Sequence, residues 1–333
     1  MSGPALFLLA GAALAASLAG SGLVRRALTR WRVVDVPNAR SSHRAAVPRG
    51  GGIAFVAVIL LGWTGLALAG VPGLPWPVLA GAAAVAAISM ADDVRGTPWA
   101  LRLAVQAIAV AAGVAALPAD SAVLPDAVPP LLERLAIGLA WLWFINLFNF
   151  MDGIDGIAAA EAAVVGLGLV AIAAVAGDTG WPVAPALVVA AAAAGFLPYN
   201  VPAARMFMGD VGSATLGFVL GWLLILVAAE GALATALLLP LYFILDATTT
   251  LALRIARGER LQDAHRLHAY QAAVDRGLPH ALVSGATGVL GVGLAVLGYV
   301  ALDRPALALG LGLAVTGAFI LWLRGSFAAR RAG

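Results

Sequence analysis

The sequence predicts an all-α, polytopic integral membrane protein built as one helical bundle, and three observations lead to that fold class. Of the 333 residues, 62% are hydrophobic and only 11% are charged, whereas soluble domains carry about 25% charged residues. Apolar blocks recur from end to end, each long enough to cross the roughly 30 Å hydrocarbon core of a bilayer. All basic residues apart from histidine are arginines, and they gather in alternate loops.

The apolar blocks predict about eleven transmembrane helices within a single membrane-embedded domain, residues 1–333. Helices are expected because they satisfy their backbone hydrogen bonds internally, as hydrocarbon requires. The first block follows no basic residue and precedes Arg25 and Arg26, the reverse of a cleaved secretory signal, so we expect a retained helix. In chain order, the predicted spans cover residues 4–24, 51–71, 75–91, 101–118, 131–148, 157–176, 183–199, 212–229, 232–251, 281–301 and 306–323.

The arginines predict that the N-terminus lies outside and the C-terminus lies in the cytoplasm. In this orientation only Arg134 and Arg304 of the 20 basic residues fall on the outer side, as the positive-inside rule requires. The absence of cysteine excludes disulfides, thiolate chemistry and cysteine-ligated metals. The predicted cytoplasmic loops cover residues of about 25–50, 92–100, 149–156, 200–211 and 252–280.

Most acids and all four histidines also fall on the predicted cytoplasmic side, so this face is expected to carry the chemistry. Within "ADDVRG", Asp92 and Asp93 are adjacent at a helix end. Two neighbouring carboxylates are not readily buried in their ionised form, and a cation or an opposing arginine would resolve the conflict. The alternative is a solvated helix end that carries two acids by accident.

Two further loops supply oxygen ligands and glycine turns. "NFMDGIDG" contains Asn149, Asp152 and Asp155 at spacings of three, which would place neighbouring members on one face of a helix. Such oxygens suit magnesium, although an acid pair of this spacing also occurs as ordinary surface charge. In "FMGDVGS", Asp210 lies between glycines, where it could meet a ligand, or Asp210 or Ser213 could simply cap the next helix.

The fifth cytoplasmic loop combines arginines with histidines. A helix would place His265 and His268 on one face, but no third ligand for zinc is evident. Guanidinium groups bind phosphate in a bidentate manner, so the loop favours a diphosphate, whereas Arg254 and Arg257 are better explained as anchors at the lipid headgroups. Asp246 lies within an apolar run and is either functional or structural.

These features together are what a magnesium-dependent enzyme acting on a diphosphate at the membrane surface would need. A transporter also places acids in a membrane bundle, but its sites tend to lie near the bilayer midplane. Acids gathered at one face therefore favour an interfacial enzyme over a transporter.

Five ordered motifs resemble the polyprenyl-phosphate N-acetylhexosamine-1-phosphate transferase family, over about residues 35–271. They are "DVPNARSSHRAAVPRGGG", "ADDVRG", "NFMDGIDG", "FMGDVGS" and "PLYFILDATTTLALRIARGE…DAHRLH". The resemblance implies that a cytoplasmic UDP-N-acetyl sugar donates sugar-1-phosphate to undecaprenyl phosphate at the bacterial plasma membrane, with release of UMP. It implies Mg²⁺ as cofactor, with Mn²⁺ as a possible substitute, a possible homodimer, and no nucleic-acid partner.

The resemblance also implies residue roles. One acid of the pair Asp92 and Asp93 would deprotonate the lipid phosphate, and His268 would join them as a catalytic residue. Asp210 and Asn149 match the metal-binding positions. Substrate binding is implied for a further set of residues: Asp152, Asp155, Asn200, His265 and Arg266.

One motif departs from the family pattern. Many relatives carry a His-x-His-His cluster, whereas Arg266, His268 and Ala269 occupy these histidine positions here. "HRLHAYQ" is similar to the subgroup that initiates O-antigen synthesis, so we expect a simple UDP-N-acetylhexosamine or 6-deoxy derivative as the sugar donor. The alternative within the family is the phospho-N-acetylmuramoyl-pentapeptide transferase of peptidoglycan synthesis.

Overall fold

The computed structural model is an all-α bundle, described for residues 1–35, 46–119, 121–124, 128–177, 180–259 and 265–325. Residues 36–45 of the first motif, and Arg260 and Asp263 of the fifth loop, lie outside these ranges. The helices of the described ranges are α1 (Gly3–Trp31), α2 (Gly52–Leu68), α3 (Trp76–Arg95), α4 (Trp99–Ala115), α5 (Pro130–Phe150), α6 (Ile157–Ala176), α7 (Val183–Asn200), α8 (Asp210–Val227), α9 (Leu233–Leu238), α10 (Leu241–Ala256), α11 (Ala269–Asp275), α12 (His280–Val300) and α13 (Pro305–Leu323).

The prediction of a polytopic membrane bundle is confirmed. Eight helical stretches in the described part of the chain are long and apolar enough to cross a membrane, by length and composition. Helices α2 and α4 are shorter apolar helices. Each predicted span apart from the ninth overlaps one of these helices, and α1 continues beyond its predicted end through Arg25 and Arg26 to Trp31.

The predicted ninth span, 232–251, is wrong as one continuous helix. It is divided into α9 and α10 at Pro240, because proline lacks the backbone N–H and clashes with the preceding turn. Before α9, Glu230 and Gly231 leave helical geometry, with a φ of 82° at Gly231. This turn separates α8 from α9.

Helix α8 lies at the centre of the bundle and packs against α3 and α5. The Trp141 indole N–H of α5 donates a hydrogen bond to the Phe218 carbonyl of α8 at 2.9 Å. The Trp141 ring also stacks on Trp222, with centroids 5.5 Å apart. These aromatic contacts fix the central helix, whose first residue is Asp210.

Two short backbone pairings bring the first motif to the start of α8. Strand β1 (Val34–Asp35) pairs antiparallel with β2 (Val47–Pro48). The following segment then pairs with the fourth loop, since Gly51 N–H donates to the Phe207 carbonyl at 2.9 Å and Gly52 N–H donates to the Met208 carbonyl at 2.8 Å. Four of the predicted cytoplasmic loops thereby meet at the end of the bundle where α3, α5 and α7 end and α8 begins.

Candidate active site at one end of the bundle

The predicted site residues form three neighbouring groups at this end of the bundle. The first is an acid–arginine cluster, which we define as Asp92, Asp93 and Asp210 with Arg49 and Arg102. The second surrounds Asp155, and the third surrounds His268. The acid pair and the "FMGD" acid, far apart in sequence, are therefore brought together in the structure.

Asp93 fixes the start of α8. Its Oδ1 and Oδ2 accept hydrogen bonds from the backbone N–H groups of Asp210 and Val211 at 3.0 and 2.9 Å. These N–H groups belong to the helix N-terminus and have no partner within the helix. The Asp93 side chain is only 1% exposed and also contacts Arg49.

Neither Asp210 nor Ser213 caps α8, so that structural alternative is wrong. Gly209, with a φ of 74°, brings the chain against the Asp93 carboxylate, where an added Cβ would lie 2.6 Å from Oδ2. The Ser213 hydroxyl instead donates to the Gly209 carbonyl at 3.2 Å. Asp93 of α3 supplies the cap, so the Asp210 carboxylate is available to the other members of the cluster.

Asp210 is the centre of the cluster. Its Oδ1 accepts a hydrogen bond from Arg49 Nη2 at 3.0 Å, and its Oδ2 accepts one from Arg102 Nη1 at 2.9 Å. Arg102 also donates to Asp92 Oδ2, and the Thr97 N–H donates to Asp92 Oδ1 at 2.6 Å. The two arginines resolve the conflict between adjacent carboxylates that the sequence posed.

Asn149 and Asp152 border the cluster from the end of α5. The Asn149 amide donates to Asp210 Oδ2 at 3.2 Å. Burial, followed by the nearby charge of Asp210, raises the pKa of Asp152 well above its ordinary value.

The side chains of Asp210 and Asn149 fit a magnesium ion by their chemistry. They offer a carboxylate and, with the amide reoriented, a carbonyl oxygen, and Mg²⁺ takes one or two protein carboxylates together with substrate phosphates. Within the described residues, no group of three or more His, Asp or Glu side chains forms a metal site by itself. The substrate would thus have to complete the ligand set.

The spacing argument for Asp152 and Asp155 is wrong, because α5 ends at Phe150 and α6 begins at Ile157. Asp155 turns away from the cluster: its carboxylate lies 3.3 Å from His280 Nδ1 and accepts the Ala204 N–H at 3.0 Å. Asn200 accepts the Gly156 N–H at 3.1 Å and donates to the Met206 carbonyl at 3.2 Å. Asp155 and Asn200 therefore tie the third and fourth loops together.

His268 lies just before α11, and its ring is near-parallel to two aromatic rings, those of Phe150 and Tyr270. Its ring centroid is 6.5 Å from Phe150 and 5.8 Å from Tyr270, and the Tyr270 hydroxyl donates to the Phe150 carbonyl at 2.8 Å. The expectation of a helix through His265 and His268 is wrong, because α11 begins at Ala269. Their rings nevertheless lie 4.9 Å apart.

His268 is 2% exposed, and its Nδ1 has no hydrogen-bond partner among the described residues. The pKa of His268 is lowered to about 3, first because the imidazole is buried. The neighbouring His265 and the cationic Arg324 and Arg254 lower it further. The imidazole is consequently neutral near pH 7. It can accept or donate a hydrogen bond there, but it does not supply a positive charge.

Asp246 holds the third group in place, as its structural alternative anticipated. Fully buried, it accepts the Ala269 N–H with both carboxylate oxygens, at 2.9 and 3.0 Å. Arg266 is paired with Asp275 at 2.7 Å. Asp246 thus fixes the fifth loop to α10, and the ion pair between Arg266 and Asp275 connects two parts of the same loop.

An apolar groove of about 520 Å³ reaches the acid–arginine cluster. Its walls come mainly from α1 and the end of α3, and they include Leu28, Ile53 and Met90. Arg49 and Asp93 also line it. Apolar surface and phosphate-binding groups are therefore contiguous at this point.

Arg49 and Arg102 are the functional candidates that sequence reasoning missed, since they were counted only as cytoplasmic charge. Arg49 and Asp210 are separated by 161 positions in sequence. The one available signal was the adjacent acids Asp92 and Asp93. Two neighbouring carboxylates need a neutralising group, but the sequence does not show which arginine supplies it. Tyr270 and His280 were missed as well, because nothing local to them indicates their partners.

Comparison with known proteins supports the assignment of these motifs. The glycosyl transferase family 4 profile matches residues 75–228, which include Asp92, Asp93, Asn149 and Asp210. A probable undecaprenyl-phosphate N-acetylglucosaminyl 1-phosphate transferase of Bacillus subtilis is 28% identical over 275 residues, 78% of this chain and 74% of the relative.

Two further relatives bear on the subgroup. The decaprenyl-phosphate N-acetylglucosaminephosphotransferase of Mycolicibacterium smegmatis is 32% identical over 60% of this chain, which spans only 55% of that relative. The phospho-N-acetylmuramoyl-pentapeptide-transferase of Deinococcus radiodurans is 29% identical over 63% of this chain and 71% of its own length. The family resemblance noted from the five motifs is confirmed.

Proposed function

We propose that this chain, whose residues 75–228 match the glycosyl transferase family 4 profile, transfers N-acetylhexosamine-1-phosphate from a UDP-sugar to undecaprenyl phosphate. The products are UMP and undecaprenyl-diphosphate-sugar. The observation that carries this proposal is the acid–arginine cluster at the end of an apolar groove. A lipid phosphate needs apolar surface for its chain and compensating charge for its head, and this juxtaposition supplies both.

In the reaction, an oxygen of the lipid phosphate attacks the β-phosphorus of the UDP-sugar. The bond between the β-phosphorus and the oxygen shared with the α-phosphate breaks, and UMP leaves with the electron pair. Both reactants are anionic, so the site must compensate charge where it builds up. Arg49 and Arg102 lie where they can do so, within 3.0 Å of the Asp210 carboxylate.

Asp210 and Asn149 would hold the divalent cation, Mg²⁺ or Mn²⁺ as its substitute. When bound, the cation supplies positive charge to the diphosphate. Asp210 is 16% exposed, so its carboxylate is accessible from the site.

Asp92 is the better candidate of the acid pair for accepting a proton from the lipid phosphate. Its side chain is 14% exposed, whereas Asp93 is 1% exposed with both oxygens bound to the start of α8. A phosphate monoester has a second pKa near 6 and is largely deprotonated at pH 7. The contribution of Asp92 as a base should therefore grow as the pH falls toward 6.

The remaining residues would bind the nucleotide sugar. Asp152 and Asp155 would lie beside the nucleotide, with Asn200 holding the loop that faces it. His268 would contribute a neutral hydrogen-bonding group, while His265 and Arg266 would border the sugar or diphosphate. Asp155 and Asn200 act in this proposal chiefly through the loops that they join.

We place the reaction at the cytoplasmic face of a bacterial plasma membrane, as the first membrane step of O-antigen or another cell-surface polysaccharide. The arginine distribution supports this orientation. The pentapeptide transferase is the second candidate, favoured by the Deinococcus relative. Against it stand Arg266 and Ala269, which replace histidines of the family pattern.

The test is UMP release by purified protein with undecaprenyl phosphate and a panel of UDP-sugars, with and without Mg²⁺. The panel includes UDP-N-acetylglucosamine, its C4 epimer, 6-deoxy derivatives and UDP-N-acetylmuramoyl-pentapeptide. We expect UMP release that requires both lipid and cation, and its loss in Asp210→Asn. Turnover of the pentapeptide donor alone would select the second candidate, and no UMP from any donor would reject the proposed function.

A further inference from the structure

Arg49 joins two carboxylates that belong to different helices. Its Nε lies 3.0 Å from Asp93 Oδ1, and its Nη2 lies 3.0 Å from Asp210 Oδ1. The backbone holds it at this position, because the Arg49 N–H donates to the Val33 carbonyl at 3.2 Å. Even so, 38% of the side-chain surface stays exposed, and Arg49 lines the apolar groove.

The partners of Arg49 differ in how firmly they are held. Asp93 is bound to two N–H groups of α8 and is almost fully buried. Among the described residues, the Asp210 carboxylate is bound through side chains: Arg49 on Oδ1, and Arg102 and Asn149 on Oδ2. A change of partner at Arg49 would therefore break the contact with Asp210 first.

A divalent cation and a guanidinium compete for the same oxygens of Asp210. Both oxygens are occupied by arginines, so a cation at Asp210 must displace at least one of them or share its oxygen. Like charges repel, which weakens the remaining ion pair. The displaced guanidinium then lies beside the cation, where a diphosphate would bring its negative charge.

We propose that Arg49 is a substrate-binding residue that exchanges partners during the reaction cycle. Without a cation it neutralises Asp210, and with a cation on Asp210 it binds the diphosphate of the UDP-sugar while its Nε stays on Asp93. The inference rests on the proposed function for the identity of the diphosphate. The competition for Asp210 rests on the cluster geometry alone.

The exchange predicts opposite effects on two ligands from one substitution. Arg49→Gln removes the competitor at Asp210, so the cation should bind more tightly, by roughly fivefold. The same change removes a phosphate contact, so the KM for the UDP-sugar should rise by roughly tenfold. A residue that merely stabilises the fold would weaken both ligands together.

The experiment measures Mn²⁺ binding to purified, substrate-free protein from the electron paramagnetic resonance signal of free Mn²⁺. Arg49→Gln, Arg49→Lys and wild type are compared, with Arg95→Gln as the control because Arg95 is exposed at the end of α3. Thermal melting establishes that each variant is folded. We expect tighter Mn²⁺ binding in Arg49→Gln, wild-type binding in Arg95→Gln, and an affinity close to wild type in Arg49→Lys, which keeps the competing charge.

Unchanged or weaker Mn²⁺ binding in folded Arg49→Gln would overturn the exchange. If Arg49→Gln does not fold, Arg49→Lys decides: it should raise the UDP-sugar KM, because lysine lacks the bidentate fork, and an unchanged KM would overturn the proposal. Tighter Mn²⁺ binding in a protein that releases no UMP from any donor would instead reject the proposed function while leaving the competition at Asp210 in place.

Discussion

Asp93 and Asp246 perform the same structural task at two places in the chain. Each is a buried carboxylate that accepts backbone N–H groups at the start of a helix from elsewhere in the sequence: α8 for Asp93 and α11 for Asp246. Uncompensated N–H groups are costly to bury. These acids therefore hold the fourth motif and the end of the fifth motif in place before any substrate arrives.

The Asp93 cap predicts unequal effects within the acid pair. Asp93→Asn replaces one acceptor oxygen by an NH₂ group that faces an N–H of α8, so the free energy of unfolding should fall by about 1–3 kcal/mol. Asp92→Asn should cost less, because Asp92 accepts one backbone N–H among the described residues, that of Thr97, and is more exposed. Apparent melting temperatures in detergent measure the difference, and an equal or larger loss in Asp92→Asn would contradict the assigned cap.

His268 predicts a loss of stability in acid. Burial lowers its pKa to about 3 in the folded protein, while the unfolded chain protonates near 6.5. The unfolded state thus binds more protons between these values, so stability is fully present above pH 6.5 and falls as the pH drops toward 3. At pH 5 the loss in the free energy of unfolding amounts to about 2 kcal/mol.

The measurement compares the melting temperature of wild type and His268→Gln at pH 7.5 and pH 5. Other titrating groups are shared by both proteins, so the wild type should lose more stability on acidification than the variant. Equal losses would show that His268 is not buried in its neutral form.

At the scale of elements, the glycines of the first and fourth motifs bring two helices into backbone contact. A Cβ on Gly52 at the start of α2 would collide with the backbone of Gly212 in α8. The sequence pointed to a ligand contact for the glycines of the fourth motif, which flank Asp210. They serve first to let α2 approach α8, which places Arg49 next to Asp210.

Gly52→Ala should therefore destabilise the protein by about 1–3 kcal/mol, because backbone atoms cannot move aside as a flexible side chain can. Gly65→Ala is the matched control on the same helix, since a Cβ there meets nothing within 4 Å. The control should be neutral or stabilising by up to about 1 kcal/mol. Comparable melting temperatures for the two variants would contradict the close packing of α2 on α8.

The elements themselves could largely be predicted from sequence, because hydrocarbon demands long apolar helices and the arginines mark the loops. The division of the ninth span could have been anticipated from Pro240, which interrupts an otherwise apolar run. The pairing of Arg49 with Asp210 could not be anticipated from the sequence, because it depends on how α2, α3 and α8 pack. Likewise, the spacing of Asp152 and Asp155 suggests one helical face only if the loop between α5 and α6 is assumed to be helical.

At the scale of the whole molecule, the bundle places charged chemistry at one end of an apolar body. The acid–arginine cluster draws on α3, α4, α8 and the segment before α2, and Asn149 of α5 borders it. The apolar groove beside it lies between α1 and α3. A water-soluble nucleotide and a membrane lipid can reach such a site from different phases, which is the requirement of the proposed transfer.

The central claim is that the sugar moves together with its phosphate, and the fate of the two phosphates of the donor tests it most directly. Purified protein is incubated with undecaprenyl phosphate, Mg²⁺ and its preferred UDP-sugar, radiolabelled either at the α-phosphate or at the β-phosphate. The β-label should enter the lipid fraction and the α-label should stay in the aqueous phase as UMP. A β-label that remains in aqueous UDP would mean that the sugar moves alone, and would contradict the assignment of a sugar-1-phosphate transferase.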